Sequence, residues 1–299
     1  MGRKWIVIFL AAVFFCGCRQ SEKKAESPPL TAAATPQPVQ AAATPTPVAD
    51  ATPFLTTSST KWNTVEEFDY QWKANQPSIH FKLELPDRYN DPGDFIRIHI
   101  QPPGHPDFIL MNDDGWIEHN FGKRLEGFFK ESQKRNLVQS KYVLILPATK
   151  NPDDPPLIFL RSWGYASNPE RLHIIGLQSS GDPLLVFNDE LALVDFSDVD
   201  GDGAREIIGY PCLSEGVSEH VGSYHPYQVF KIESPIQKAA VLSIPLTEQY
   251  TKQKYDGWAG PECSDEYVII WSEEKDKKPL VVSKEEFEKM EKASPPAVH

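Results

Sequence analysis

A chain of 299 residues with 42 acidic against 30 basic side chains carries a formal charge of −12, which excludes the basic footprint of a nucleic-acid-binding protein. Its 40% hydrophobic content, with 16 Phe and 7 Trp, is enough for one sizeable core or two small ones. An acidic domain gains nothing from anionic lipids, so any hold on a membrane has to come from a dedicated anchor.

Residues 1–18 begin basic at Arg3 and Lys4, turn apolar from Trp5 to Phe15 and end small at "CGC", the order of a secretory signal. The apolar stretch falls short of the roughly 18–20 residues a membrane-spanning helix needs. The ending "FCGC", with Gly17 just before Cys18, resembles the lipobox of bacterial lipoproteins, although Phe15 stands where Leu is usual. That resemblance implies cleavage before Cys18 and a lipid on its thiol; an ordinary signal peptide is the alternative. From residue 19 to about residue 60 the chain is mostly Ala, Thr, Pro, Ser and Gln, as in "AAATPQPVQAAATPTPVADATP". Such a stretch has no helical or strand period and stays extended and solvated, the character of a tether.

Residues 61–282 carry the folded domain. In "TVEEFDYQW", Thr64 precedes Glu67 by the spacing of a helix-capping box, on a segment too short to assign. "SIHFKLEL" sets Ile79, Phe81, Leu83 and Leu85 against His80, Lys82 and Glu84, the period of a half-buried strand. "DFIRIHI" repeats it with Ile96, Ile98 and Ile100, and "PDFILM" comes after a "PPGHP" turn, which predicts a hairpin or meander. Residues 121–136 place Leu125, Phe128 and Phe129 on one helical face, with Gly127 weakening it. Strands return as "KYVLILP", "PPLIFLRSW", "RLHIIGL", "PLLVFN" and "LALVDF", several of them continuous apolar runs that suit a sheet covered on both faces. "EIIGY", "YQVFKI", "AAVLSIPL" and "EYVIIW" complete the strands. Residues 283–299 begin with Ser283 and Glu286 as a capping box, and a single Phe287–Met290 edge predicts a lightly packed C-terminal helix. The fold class is therefore mainly β, antiparallel sheets in a sandwich or partial propeller-like arrangement, with one or two peripheral helices.

With the signal removed and Cys18 assigned to lipid, two cysteines remain, Cys212 and Cys263. In an oxidising compartment an even remainder reads as a disulfide, and two thiols are too few for a metal site.

The stretch "DFSDVDGDGAREIIGY" carries the clearest chemistry. Asp198, Asp200, Asp202 and Glu206 fall at alternating or near-alternating positions, and Gly201 and Gly203 allow the sharp turn that would make them converge. Carboxylates about 4 Å apart repel by roughly 1–4 kcal/mol per pair, depending on the effective dielectric. A hard dication reverses the sign of each term, and calcium accepts six to eight oxygens, with the Ala204 carbonyl as the natural extra ligand. An EF-hand is excluded, because its bidentate Glu position is Gly209 and a strand stands where a helix should. The segment resembles instead the calcium loop of FG-GAP and VCBS-type repeats, D-x-D-x-D-G-x-x-[DE] between two strands, found in integrin α-subunit propellers and many secreted bacterial proteins. The resemblance covers one loop. "MNDDGW" at 111–116 lacks the alternating acids, so the ion site carries over and the propeller does not. An acidic surface turn without metal is the alternative.

No catalytic residues are assigned. Neither G-x-S-x-G nor H-E-x-x-H occurs, and the histidines sit singly; His220 and His225 can flank a cleft but read more simply as solvated or hydrogen-bonded. A glycosidase carboxylate pair depends on spacing in three dimensions. Trp163 and Tyr165 in "RSWGYASNP", and Tyr255 and Trp258 in "KYDGWAGPEC", are either ligand-contact aromatics or plugs at the end of a sheet, with plugs preferred. The resulting expectation is a secreted, lipid-anchored β domain with structural Ca2+, binding an envelope protein or glycan or building the cell envelope. Its rivals are an envelope polysaccharide hydrolase and an accessory subunit of a membrane complex. Arg19 after Cys18 differs from the Asp that resembles an inner-membrane retention signal, which favours an outer membrane, facing the periplasm or the cell surface.

Overall fold

A computed structural model describes residues 60–72, 77–89, 93–119, 140–151, 153–164, 169–178, 180–233 and 236–293. The signal with Cys18, the tether up to residue 59, the helix expected over 121–136 and Tyr165 lie outside the described residues. Within them the fold is mainly β, built from antiparallel sheets with two helices and no closed barrel.

The largest sheet contains β1 (Trp62–Tyr70), β2 (Ile79–Pro86), β3 (Phe95–Gln101), β4 (Phe108–Ile117), β5 (Leu144–Pro147), β6 (Pro156–Ser162), β7 (Arg171–Leu177) and β8 (Pro183–Glu190). Its order is β1-β2-β3-β4-β6-β7-β8, with β5 beside β6. The period-two run at β2 buries Ile79, Phe81 and Leu83 as expected, but the alternation breaks at Glu84, which is buried on the other side. Lys82, Arg97 and His99 surround its carboxylate, so the buried charge stays paired. The Thr64–Glu67 spacing caps no helix: both residues belong to β1, where pairing with β2 overrides the local signal.

The continuous apolar run of β6 has a direct cause. Leu157 and Phe159 enter one core layer while Ile158 and Leu160 enter another, so both faces of the strand are covered. One layer adds Leu193, Phe196 and Ile207 from a second sheet. The other joins β6 to Trp116 on the adjacent β4 and, farther along the same sheet, to Ile98 on β3 and Phe81 on β2. Trp72, just past β1, donates its indole N–H to the Asp154 carbonyl at 2.9 Å, and Ser140 Oγ donates to Glu66 at 2.8 Å.

The second sheet is β9 (Ala192–Ser197), β10 (Glu206–Tyr210), β13 (Gln228–Lys231) and β14 (Val241–Leu242). A third comprises β11 (Gly216–Ser218), β12 (Val221–Tyr224), β15 (Ser264–Ile270) and β16 (Leu280–Ser283). The Cys212–Cys263 disulfide joins the turn after β10 to the residue before β15, across 51 residues, and so ties the second sheet to the third.

The strand expected over "AAVLSIPL" is corrected. It stops after Val241–Leu242, and helix α1 (Ile244–Lys254) begins with Pro245 in its first turn. Its inward face is Leu246, Thr247, Tyr250 and Thr251, and the two threonine hydroxyls accept the Val229 and Tyr227 N–H groups at 2.9 and 3.1 Å. At the end of the described chain, α2 (Lys284–Ala293) has the expected capping box. The Glu286 N–H donates to Ser283 Oγ and the Ser283 N–H to the Glu286 carboxylate, both at 3.2 Å, and no residue of the helix is buried.

Candidate metal centre

The loop between β9 and β10 is closed by its own acids. Antiparallel pairing of Ser197 with Glu206 brings its two ends together. Asp198 accepts the Gly201 N–H on Oδ1 at 2.7 Å and the Gly203 N–H on Oδ2 at 3.1 Å. Asp200 Oδ1 accepts the Asp202 N–H at 3.1 Å, and Asp202 Oδ1 the Ala204 N–H at 2.8 Å. These are side-chain turns of the kind aspartates favour, and each turns the backbone inward. Gly201 and Gly203 make the tight path possible at φ of 81° and 95°. A Cβ on Gly203 would meet nothing within 4 Å, so only backbone strain opposes a larger residue. Gly203→Ala should therefore destabilise the fold by about 1–2 kcal/mol, measured as a lower urea midpoint with unchanged slope.

A short bridge docks the loop on the segment after β5. The Lys150 N–H donates to the Gly203 carbonyl at 3.3 Å and the Arg205 N–H to the Ala148 carbonyl at 3.1 Å. Neither bond uses the Ala204 carbonyl.

Glu206 is the decisive residue. It opens β10 and is fully buried. Its Oε2 accepts the Val199 N–H at 2.7 Å, whereas Oε1, also buried, has no hydrogen-bond partner. Burial pushes its carboxyl up to about 7, with the negative charges of Asp200 and Asp202 acting in the same direction. A buried carboxylate oxygen without a donor is a large penalty unless something positive faces it. One oxygen each from Asp198, Asp200 and Glu206 lie within 4.8 Å of one another. Oxygens bound at roughly 2.3–2.6 Å on opposite sides of one ion stand at most about 5 Å apart, so the triad can hold a metal ion.

Of the expected ligands, these three converge. Asp202 stands beside them, linked to Asp200 through Lys231, whose ammonium is 2.5 Å from Asp200 Oδ2 and 2.9 Å from Asp202 Oδ2. Lys150 reaches Asp198 Oδ2 at 2.7 Å. The hydrogen bond from Lys150 holds Asp198 below the usual carboxylate range, and that from Lys231 does the same for Asp200. Sequence reasoning missed both lysines. They arrive from other strands and loops, and no spacing along the chain marks them.

The aromatic candidates separate. Tyr255 is buried, its hydroxyl 3.2 Å from His225 Nε2 and its ring 5.4 Å from that of Tyr227, which makes it a plug. Trp258 is half-buried and Trp163 is 45% exposed. His220 is exposed beside Glu273, whereas His225 is buried among tyrosines, so the two face different surroundings.

No family model matches the chain. Neither a curated protein nor a solved structure matches it.

Proposed function

We propose that the protein is a lipid-anchored, calcium-stabilised β domain of the bacterial cell envelope, with a binding or structural role. The observation that carries this reading is the Oε1 atom of Glu206, buried without a partner on a carboxylate that converges with those of Asp198 and Asp200. An all-oxygen donor set of carboxylates, with a backbone carbonyl to spare at Ala204, suits a hard cation and excludes the thiolate and imidazole sites of softer metals. The ion would pin the turn between β9 and β10, and the cystine would pin the loops beyond β10. Extracellular calcium modules bind at roughly 10⁻⁴–10⁻³ M, so such a site is filled outside the cytoplasm.

Calorimetric titration of the purified protein with Ca2+ should give one saturable site, and Asp200→Ala should remove it. A wild-type protein that releases no binding heat with Ca2+ refutes the calcium reading. The anchor has a separate test. Cys18→Ser should move the protein from the membrane fraction to the soluble fraction, and retention of the variant would refute lipidation. An envelope protein or glycan is the partner this placement implies. Nucleic acid is disfavoured by the net charge of −12.

A further inference from the structure

Two lysines occupy the oxygens that a cation would need. In each loop aspartate, Oδ1 is committed to a backbone N–H: Asp198 to Gly201, Asp200 to Asp202, and Asp202 to Ala204. The other oxygen is the one an ammonium holds: Asp200 Oδ2 and Asp202 Oδ2 by Lys231, and Asp198 Oδ2 by Lys150 alongside the Gly203 N–H. The fully buried Glu206 Oε1, left without any partner, shows that the ammonium groups do not complete the centre. A dication bound there would compete for the aspartate carboxylates and repel both lysines.

Both side chains have somewhere to go. Lys150 is 68% exposed and Lys231 39%, on long, flexible stems. They line one groove of about 1090 Å³, together with Lys238, Asn151 and Gln237. The groove's acids are already engaged. Asp154 accepts from Thr149 and Asn151, Glu233 pairs with Lys238 at 2.7 Å, and Asp202 faces the centre itself.

We infer that cation binding expels Lys150 and Lys231 into this groove and turns it into a binding site for a sugar-sized anion bearing a carboxylate or a phosphate. The inference rests on the calcium reading above. Released ammonium groups supply the charge, and the Asn151 and Gln237 amides suit a hydroxylated body. Calcium is then a gate as well as a staple.

The test uses the full chain and three titrations. With Ca2+ alone, the Lys150→Ala/Lys231→Ala double variant should bind about tenfold more tightly than wild type, because its competitors are gone; that ratio corresponds to about 1.4 kcal/mol. Next, glucuronate and glucose 6-phosphate are titrated in EGTA and in saturating Ca2+. Wild type should gain about tenfold or more in affinity for at least one of them with Ca2+, and the double variant should gain nothing. A gain for glucuronate alone assigns a carboxylate ligand, and one for glucose 6-phosphate alone a phosphate; either supports the gate. Calcium binding by wild type with no gain for either anion, or with unchanged calcium affinity in the double variant, overturns the gate and leaves the metal site standing. No calcium binding by wild type overturns both.

Discussion

Replacing Cys212 and Cys263 together by serine should lower stability by about 4 kcal/mol, the chain-entropy value for a closed loop of about 50 residues. The position of the bond argues for the full effect. It joins the turn after β10 to the start of β15, and so connects the second sheet to the third. The third sheet has a small apolar core of its own, in which Tyr224, Tyr255 and Ile269 are the buried members. Its outer strand β11 is exposed along its whole length. A sheet with so little buried surface depends on its attachment more than on its packing. For a domain of this size about 2–4 °C of melting temperature accompanies each kcal/mol, so the double variant should melt on the order of 10 °C lower. Limited proteolysis should cut first between residues 211 and 224 or after residue 256. A midpoint within about 0.5 kcal/mol of wild type in urea would mean that the third sheet is held by its own contacts.

The strands that were legible in the sequence are those whose burial is one-sided or complete. Ile79, Phe81 and Leu83 alternate because β2 has one apolar face, and Leu157 to Leu160 run continuously because β6 has two. Strand β11 was not legible, since Gly216, Val217 and Ser218 are all exposed and owe their conformation to pairing with β12. Helix α1 was hidden for a different reason. Half of its inward face is Thr247 and Thr251, which are there to accept backbone N–H groups at Val229 and Tyr227 rather than to be apolar. A hydrophobic period cannot register residues that are buried for their hydroxyls.

The centre divides in the same way. Its acids are local, so their spacing and the two glycines could be read directly. Its cations are not: Lys150 lies past β5 and Lys231 ends β13, and only the docking of three segments brings them to the loop. The burial of Glu206 was equally invisible, because a Glu at the start of a strand is ordinarily exposed. That burial separates a solvated acidic turn from a place where charge is missing.

Glu206→Gln should therefore stabilise the protein in one condition and weaken it in another. Without calcium, the wild-type carboxyl is raised from 4.5 to about 7 by burial. An acid whose folded value lies above its unfolded value contributes stability below the unfolded value, and loses it as pH rises through the folded one. The loss between about pH 4.5 and 7 amounts to about 3 kcal/mol for a shift of this size. Glutamine carries no charge to bury and keeps an acceptor for the Val199 N–H, so in EGTA at about pH 8 the variant should melt higher than wild type. Calcium reverses the order. At a thousandfold excess over the dissociation constant it adds about 4.1 kcal/mol to wild type, more than the charge burial removes, and nothing comparable to a variant whose buried ligand is neutral. The same competition sets the pH dependence, because a cation can replace the proton on Glu206 but cannot share the oxygen with it. The calcium-induced rise in melting temperature should thus grow from about pH 5 to about pH 8 in wild type and stay flat in the variant. A rise that is equal in the two proteins would place the ion on the outer aspartates alone, with the buried oxygen taking no part in binding it.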